Sequence, residues 1–128
     1  MASMMRERII EMGGLDPVFI VSANERIHWA RRVAVTRYWR KRAWLQALGA
    51  RLAPFDRARV VVTIRFPDRR RRDVANYYPY VAKPIVDGLV DAAVLPDDSD
   101  AHLVGPDMRR AAERGPLAVF VTIQELTS

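Results

Sequence analysis

The sequence predicts an α+β domain in two layers, a mixed β-sheet packed by two main helices. Three observations predict it. Residues 58–66 place Val60, Val62, Ile64 and Phe66 on one face and Val61, Thr63 and Arg65 on the other, the two-residue period of a strand. From Asn24 to Leu52 no proline interrupts a run rich in alanine, arginine and leucine, residues that lose little freedom in a helix. Ile85, Val86, Leu89, Val90 and Ala93 then recur at helical spacing, forming the buried stripe of a second, shorter helix.

Taken in order, residues 1–14 read as a flexible or helical N-terminal segment, and residues 15–128 as a single domain. The N-terminal segment mixes apolar residues with Arg6, Glu7, Arg8 and Glu11 and lacks the apolar core of a secretory signal. Leu15–Val21 is a short β-branched and aromatic run between Gly13-Gly14 and Ser22-Ala23-Asn24, which predicts a strand. In the long helix Ala34, Tyr38, Leu45, Leu48 and Leu52 fall near one face. Arg32, Arg40, Lys41 and Arg51 mark the other, suited to solvent as much as to DNA. Pro79 and Pro84 both suit a first helical turn, so the second helix starts near Val81 or Pro84 and ends at Ala93. A short strand at 101–104, a turn at Gly105-Pro106, a polar connection through Gly115-Pro116 and a last strand at 117–126 complete the order.

At 128 residues the chain is one domain by length. Its formal net charge of +6 comes from arginine rather than lysine, which favours a polyanionic partner, foremost nucleic acid. The absence of cysteine excludes a disulfide scaffold and cysteine-ligated zinc, and fits a reducing cytoplasm. His28 and His102 are too few for a histidine-rich metal site. No apolar run is long enough to span a bilayer, so a soluble protein without a membrane partner is expected.

The chemistry concentrates between Phe66 and Asp98. Pro67-Asp68 is followed by Arg69, Arg70, Arg71 and Arg72, then Asp73-Val74-Ala75-Asn76, Lys83, Asp87 and the pair Asp97-Asp98. Adjacent carboxylates favour a cation between them, and consecutive guanidiniums favour a polyanion across them. Magnesium takes one or two carboxylates plus water and phosphate oxygens, so Asp73 and Asp98 suffice as ligands, with Asp97 tuning the site. Arginine offers phosphate a forked donor. The plainer readings stand beside these: Asp68 and Asp73 flanking a solvated turn, Lys83 and Asp87 an exposed helical pair, His28 in a first helical turn.

With these residues placed, the chain resembles the RusA family of Holliday-junction resolvases, from about Ser22 to the C-terminus and most specifically over 66–98. That family's pattern is a strand ending in Pro-Asp and basic residues, then Asp-x-Asp-Asn, a lysine, an aspartate four residues later and an Asp-Asp pair. Ser22-Ala23-Asn24-Glu25-Arg26 is similar to its early asparagine-arginine turn. The resemblance implies a homodimeric, magnesium-dependent endonuclease acting on four-way or other branched DNA, with manganese able to substitute. Asp73 and Asp98 match its metal ligands and Lys83 its phosphate-directed lysine; Arg69 to Arg72, Asn76, Asn24 and Arg26 would contact DNA.

Two departures follow from the same alignment. Ala75 stands where the family has its second carboxylate, and the Asn76-to-Lys83 spacing is four residues longer. An extended 98–102 segment would put Asp98, Asp100 and His102 on one face, letting Asp100 supply the missing oxygen; Asn76 offers a neutral one. The added residues include Tyr77, Tyr78 and Tyr80, which can stack on unpaired bases or pack into the core. A junction-binding dimer that has lost activity, and a basic RNA-binding domain, remain open readings.

Overall fold

A computed structural model describes residues 5–127. It is an α+β protein with four strands, β1 (Glu7–Met12), β2 (Ala58–Arg65), β3 (Leu103–Arg110) and β4 (Ala118–Glu125), and two helices, α1 (Trp29–Gly49) and α2 (Lys83–Asp91). The sheet order is β1-β4-β2-β3. β4 runs antiparallel to both β1 and β2, whereas β3 runs parallel to β2, so the sheet is mixed.

β2 lies at the centre of this arrangement. Val60, Val62, Ile64 and Phe66 are buried as their alternation predicts, and in β4 Val119, Val121 and Ile123 are buried beside them. α2 buries Ile85, Val86 and Leu89. One continuous apolar cluster joins these residues to Trp39, Ala43 and Ala47 of α1.

The face of α1 differs from the expected one. Val35, Trp39, Ala43 and Ala47 are buried, while Leu45 and Leu48 are about half exposed. The reason lies in the close approach of α2. A Cβ on Gly88 would collide with the Arg40 carbonyl oxygen and press on the Ala43 methyl, so small residues face one another there and Trp39 fills the wider space. Trp44, Leu45 and Leu48 made the opposite face look equally apolar.

Three further elements depart from expectation. Met1 to Met4 of the N-terminal segment lie outside the described residues, but Glu7–Met12 is a strand rather than a flexible or helical stretch. Ile10 and Met12 are buried while Ile9 and Glu11 are exposed, but Arg8 is exposed as well, so the two-residue period covers only residues 9–12, a run too short to stand out. The strand expected at 15–21 is instead a single 3₁₀ turn, Pro17–Phe19. The Asp16 side chain accepts from the Val18 N–H at 3.0 Å and Pro17 presets the first turn, a local cap that overrides β propensity.

The strand expected at 101–104 runs from Leu103 to Arg110, straight through Gly105-Pro106. That pair is a bulge rather than a turn. The register with β2 moves from Arg59 opposite Val104 to Val61 opposite Asp107, and Gly105 has φ of +100° with the Val60 carbonyl against it. Such a backbone angle favours glycine.

Candidate active site

β2 hands the chain to the arginine-rich loop at its C-terminal end. Phe66 is buried there, with the Arg72 guanidinium 4.1 Å and the Arg110 guanidinium 5.1 Å from its ring centroid. Arg72 also donates to both Asp68 oxygens, at 2.7 and 3.2 Å. This forked bond, helped by the Arg70 N–H, pulls the Asp68 pKa down to about 2. Arg72 is thereby committed to the loop, whereas Arg69, Arg70 and Arg71 are exposed. The four arginines are not equivalent.

The loop ends at Asp73, which caps the short 3₁₀ helix Val74–Tyr77 by accepting from the Ala75 N–H at 3.2 Å. Ala75 itself is exposed. The Asn76 carbonyl accepts from the Ala23 N–H at 2.7 Å, fastening the early turn to this helix. Within that turn Ser22 Oγ accepts from the Asn24 N–H and Glu25 accepts from the Ser22 N–H. The turn that carries Asn24 therefore lies against Asn76, 52 positions further along the sequence (76 − 24). Tyr77 packs beside Phe66 at 5.6 Å, and Tyr80 is half-buried with the Arg32 guanidinium 5.7 Å from its ring; Tyr78 is exposed. Of the three tyrosines, only Tyr78 presents an open ring for stacking.

A π-helical turn, Tyr78–Ala82, then leads directly into Lys83 at the start of α2. Its ammonium donates to Asp87 one helical turn on, at 2.8 Å, and to Asp98 at 2.5 Å. Asp98 reaches it because the chain reverses after α2: Ala93 adopts a left-handed conformation and the Val94 N–H returns to the Leu89 carbonyl. Two carboxylates from separate segments thus meet one ammonium at a half-exposed position, a trio with a formal charge of minus one.

The bonds to Asp87 and then Asp98 push the Lys83 pKa up to about 12, and the same lysine lowers that of Asp98. Lys83 is therefore a cation at neutral pH and a donor, not a base. The signs give a window. The raised lysine contributes stability in full below its ordinary 10.5, lost as pH rises through about 12; the depressed aspartate contributes above its ordinary 3.8, lost as pH falls below it. The thermal stability difference between wild type and Lys83→Met is expected to be flat between these limits and to shrink outside them; a decline centred near pH 7 would contradict the pairing.

The remaining candidates are placed as follows. The Ser99 side chain, and then the Ser99 N–H donating to Asp97 at 2.8 Å, lower the Asp97 pKa. Asp100 is exposed in a turn, because the His102 and Leu103 N–H groups both return to the Ser99 carbonyl. Residues 98–102 are therefore not extended, and the alternation that put Asp98, Asp100 and His102 on one face does not hold. His102 bonds through Nδ1 to the Asp56 carbonyl at 2.7 Å, and His28 caps α1 by accepting from the Ala30 N–H. Among the described residues, no three His, Cys, Asp or Glu side chains form a group able to hold a metal, and no hydrogen bond or ion pair joins Asp73 to Lys83 or Asp98.

Sequence reasoning missed Arg110 and Arg114, which sit beside the arginine loop. The available signal was Arg109-Arg110 near the end of an extended run, hidden by reading Gly105-Pro106 as a turn. The chain matches no family model and no curated protein. No helix among the described residues is long and apolar enough to cross a membrane.

Proposed function

We propose that this protein is a magnesium-dependent, structure-selective endonuclease that hydrolyses phosphodiester bonds in four-way or otherwise branched DNA. The observation that carries the reading is the Lys83 ammonium bonded to both Asp87 and Asp98, at the start of a helix that two short helical turns connect to the arginine-rich loop. Hydrolysis of a phosphodiester needs an activated water, charge relief on the phosphorus oxygens and help for the departing 3′ oxygen.

Lys83, held as a cation, donates to a non-bridging or departing oxygen, and Asp87 and Asp98 fix where its protons point. The exposed Arg69, Arg70 and Arg71 grip the phosphate backbone without reading bases. Asp73 and Asp98 are both exposed carboxylates, the hard, negatively charged oxygen donors that magnesium prefers, and are the residues that would hold it. Bound there, the metal would supply a water of lowered pKa, and manganese would substitute for it.

Paired nicks in opposed strands call for two copies of this site, and a homodimer presents them symmetrically. Trp44, Leu45 and Leu48, left exposed on α1, are apolar surface that a second copy would cover. A second reading, a junction-binding dimer without activity, is favoured by Ala75, an exposed methyl where the family pattern has an acid.

A synthetic four-way junction, incubated with and without magnesium and paired with a binding assay, separates the two. The nuclease reading expects magnesium-dependent nicking. Binding without nicking, with activity gained in Ala75→Asp, would establish the second reading and reject the first.

A further inference from the structure

A cleft of about 670 Å³ opens between the loop after β2 and the turn after β3, lined by Phe66, Asp68, Arg69, Arg110, Glu113 and Arg114 among others. Its walls are tied to one another. The Ala111 N–H bonds to the Ile64 carbonyl at 3.0 Å, the Gly115 N–H to the Phe66 carbonyl at 3.1 Å, and Arg65 Nε to the Pro116 carbonyl at 2.8 Å. A Cβ on Gly115 would press within 3.0 Å of the Arg65 side chain, so the turn lies directly on β2. The cleft is part of the folded framework.

Its charges are unbalanced. The Arg110 guanidinium bridges the two walls, donating to the carbonyls of Arg70 at 2.8 Å and Asp68 at 3.1 Å, but carbonyls neutralise no charge. Among the described residues, none of Arg69, Arg110 and Arg114 is ion-paired to a carboxylate, although Arg6, Arg40, Arg59, Arg72 and Arg109 are. Of the two acids lining the cleft, Asp68 is already matched by Arg72. Glu113 remains as the only acid against three uncompensated guanidiniums.

Guanidiniums gathered this way repel one another until an anion with several oxygens lies between them, and their forked donors suit phosphate. A base is the poorer occupant, because the Phe66 ring is buried and already faced by two guanidiniums. We propose that this cleft, which shares no residue with the Lys83 cluster, is a phosphate subsite that seats the sugar-phosphate backbone of a DNA strand, with Arg69 and Arg114 as its exposed donors. The inference rests on the nucleic-acid reading above and extends its arginine-loop contact to Arg110 and Arg114 on the turn after β3.

The test is fluorescence anisotropy of a labelled four-way junction in EDTA across a range of KCl concentrations, with magnesium-dependent nicking followed in parallel. Arg69→Ala/Arg114→Ala changes two exposed side chains. It is expected to weaken binding at least 10-fold near 0.1 M salt and to flatten the slope of log K against log salt by about 2, since each neutralised phosphate contributes about 0.9. Glu113→Gln is expected to bind more tightly than wild type. Wild-type affinity and slope in the double variant would overturn the cleft while leaving the nuclease reading intact if wild type nicks. A double variant that binds weakly, beside a wild type that never nicks, would support the cleft and overturn the nuclease reading. A wild type that binds no DNA would overturn both.

Discussion

Asp98→Asn is expected to slow junction nicking by on the order of 10²–10³-fold, the scale on which removal of one electrostatic contact to a developing charge is felt, while leaving junction binding and the fold in place. The Asp98 side chain is 47% exposed and lies in a loop, so the core does not depend on it. Asparagine keeps the shape and one acceptor for Lys83, yet it no longer supplies charge. The substitution removes one of the two partners that hold Lys83 strongly cationic and, in the same step, one of the hard oxygen ligands proposed for magnesium. Unchanged nicking by this variant would remove Asp98 from the chemistry; loss of binding together with nicking would make it a docking residue instead. Gel analysis of nicked strands beside anisotropy distinguishes the three results.

Trp39→Ala is expected to destabilise the protein by about 3–5 kcal/mol, the usual cost of truncating a buried tryptophan. Trp39 is fully buried in α1, and its Nε1 donates to the Phe19 carbonyl at 2.8 Å, tying the helix to the Pro17–Phe19 turn. Tyr38 beside it stacks on Phe19 with centroids 3.8 Å apart. The loss is a large part of the 5–15 kcal/mol typical of a domain, so the variant should unfold at markedly lower urea. Trp39→Phe keeps most of the volume and forfeits the hydrogen bond, at a cost of about 1–3 kcal/mol for the carbonyl left unpaired. A loss below about 1 kcal/mol for the alanine variant would contradict the packing of α1, since cavities at well-packed sites cost more.

How much of this was legible in the sequence depended on whether the signal was local. The burial of Val60, Val62, Ile64 and Phe66, and of Ile85, Val86 and Leu89 on α2, follows from periods of two and of 3.6; of the rest of the expected stripe, Val90 is partly buried and Ala93 is exposed beyond the helix, which ends at Asp91 rather than Ala93. α1 carried apolar residues on both faces, and the choice between them was made by Gly88 of a different helix, which no periodicity contains. Asp16-Pro17 looked like the start of a strand but acts as a cap, and Gly105-Pro106 looked like a turn but sits within β3.

The same division runs through the site. The Lys83–Asp87 pair is visible as a four-residue spacing. The Lys83–Asp98 bond is not, because it needs the left-handed reversal at Ala93, an unusual conformation for alanine. Arg110 meets the loop at Asp68 and Arg70 only because β3 lies parallel to β2 and ends beside it. The sequence showed a run of four arginines; in the fold Arg72 turns inward to Asp68, and Arg110 and Arg114 join the others from a distant segment.

The most direct measurement is an anomalous-scattering map from crystals soaked in manganese. A divalent ion bonded at about 2.0–2.2 Å to carboxylate oxygens of both Asp73 and Asp98, beside Lys83, is the expected result, that distance being characteristic of small hard cations. Manganese bound elsewhere, or Asp73 and Asp98 holding no common ion in crystals of protein that nicks junctions, would contradict it.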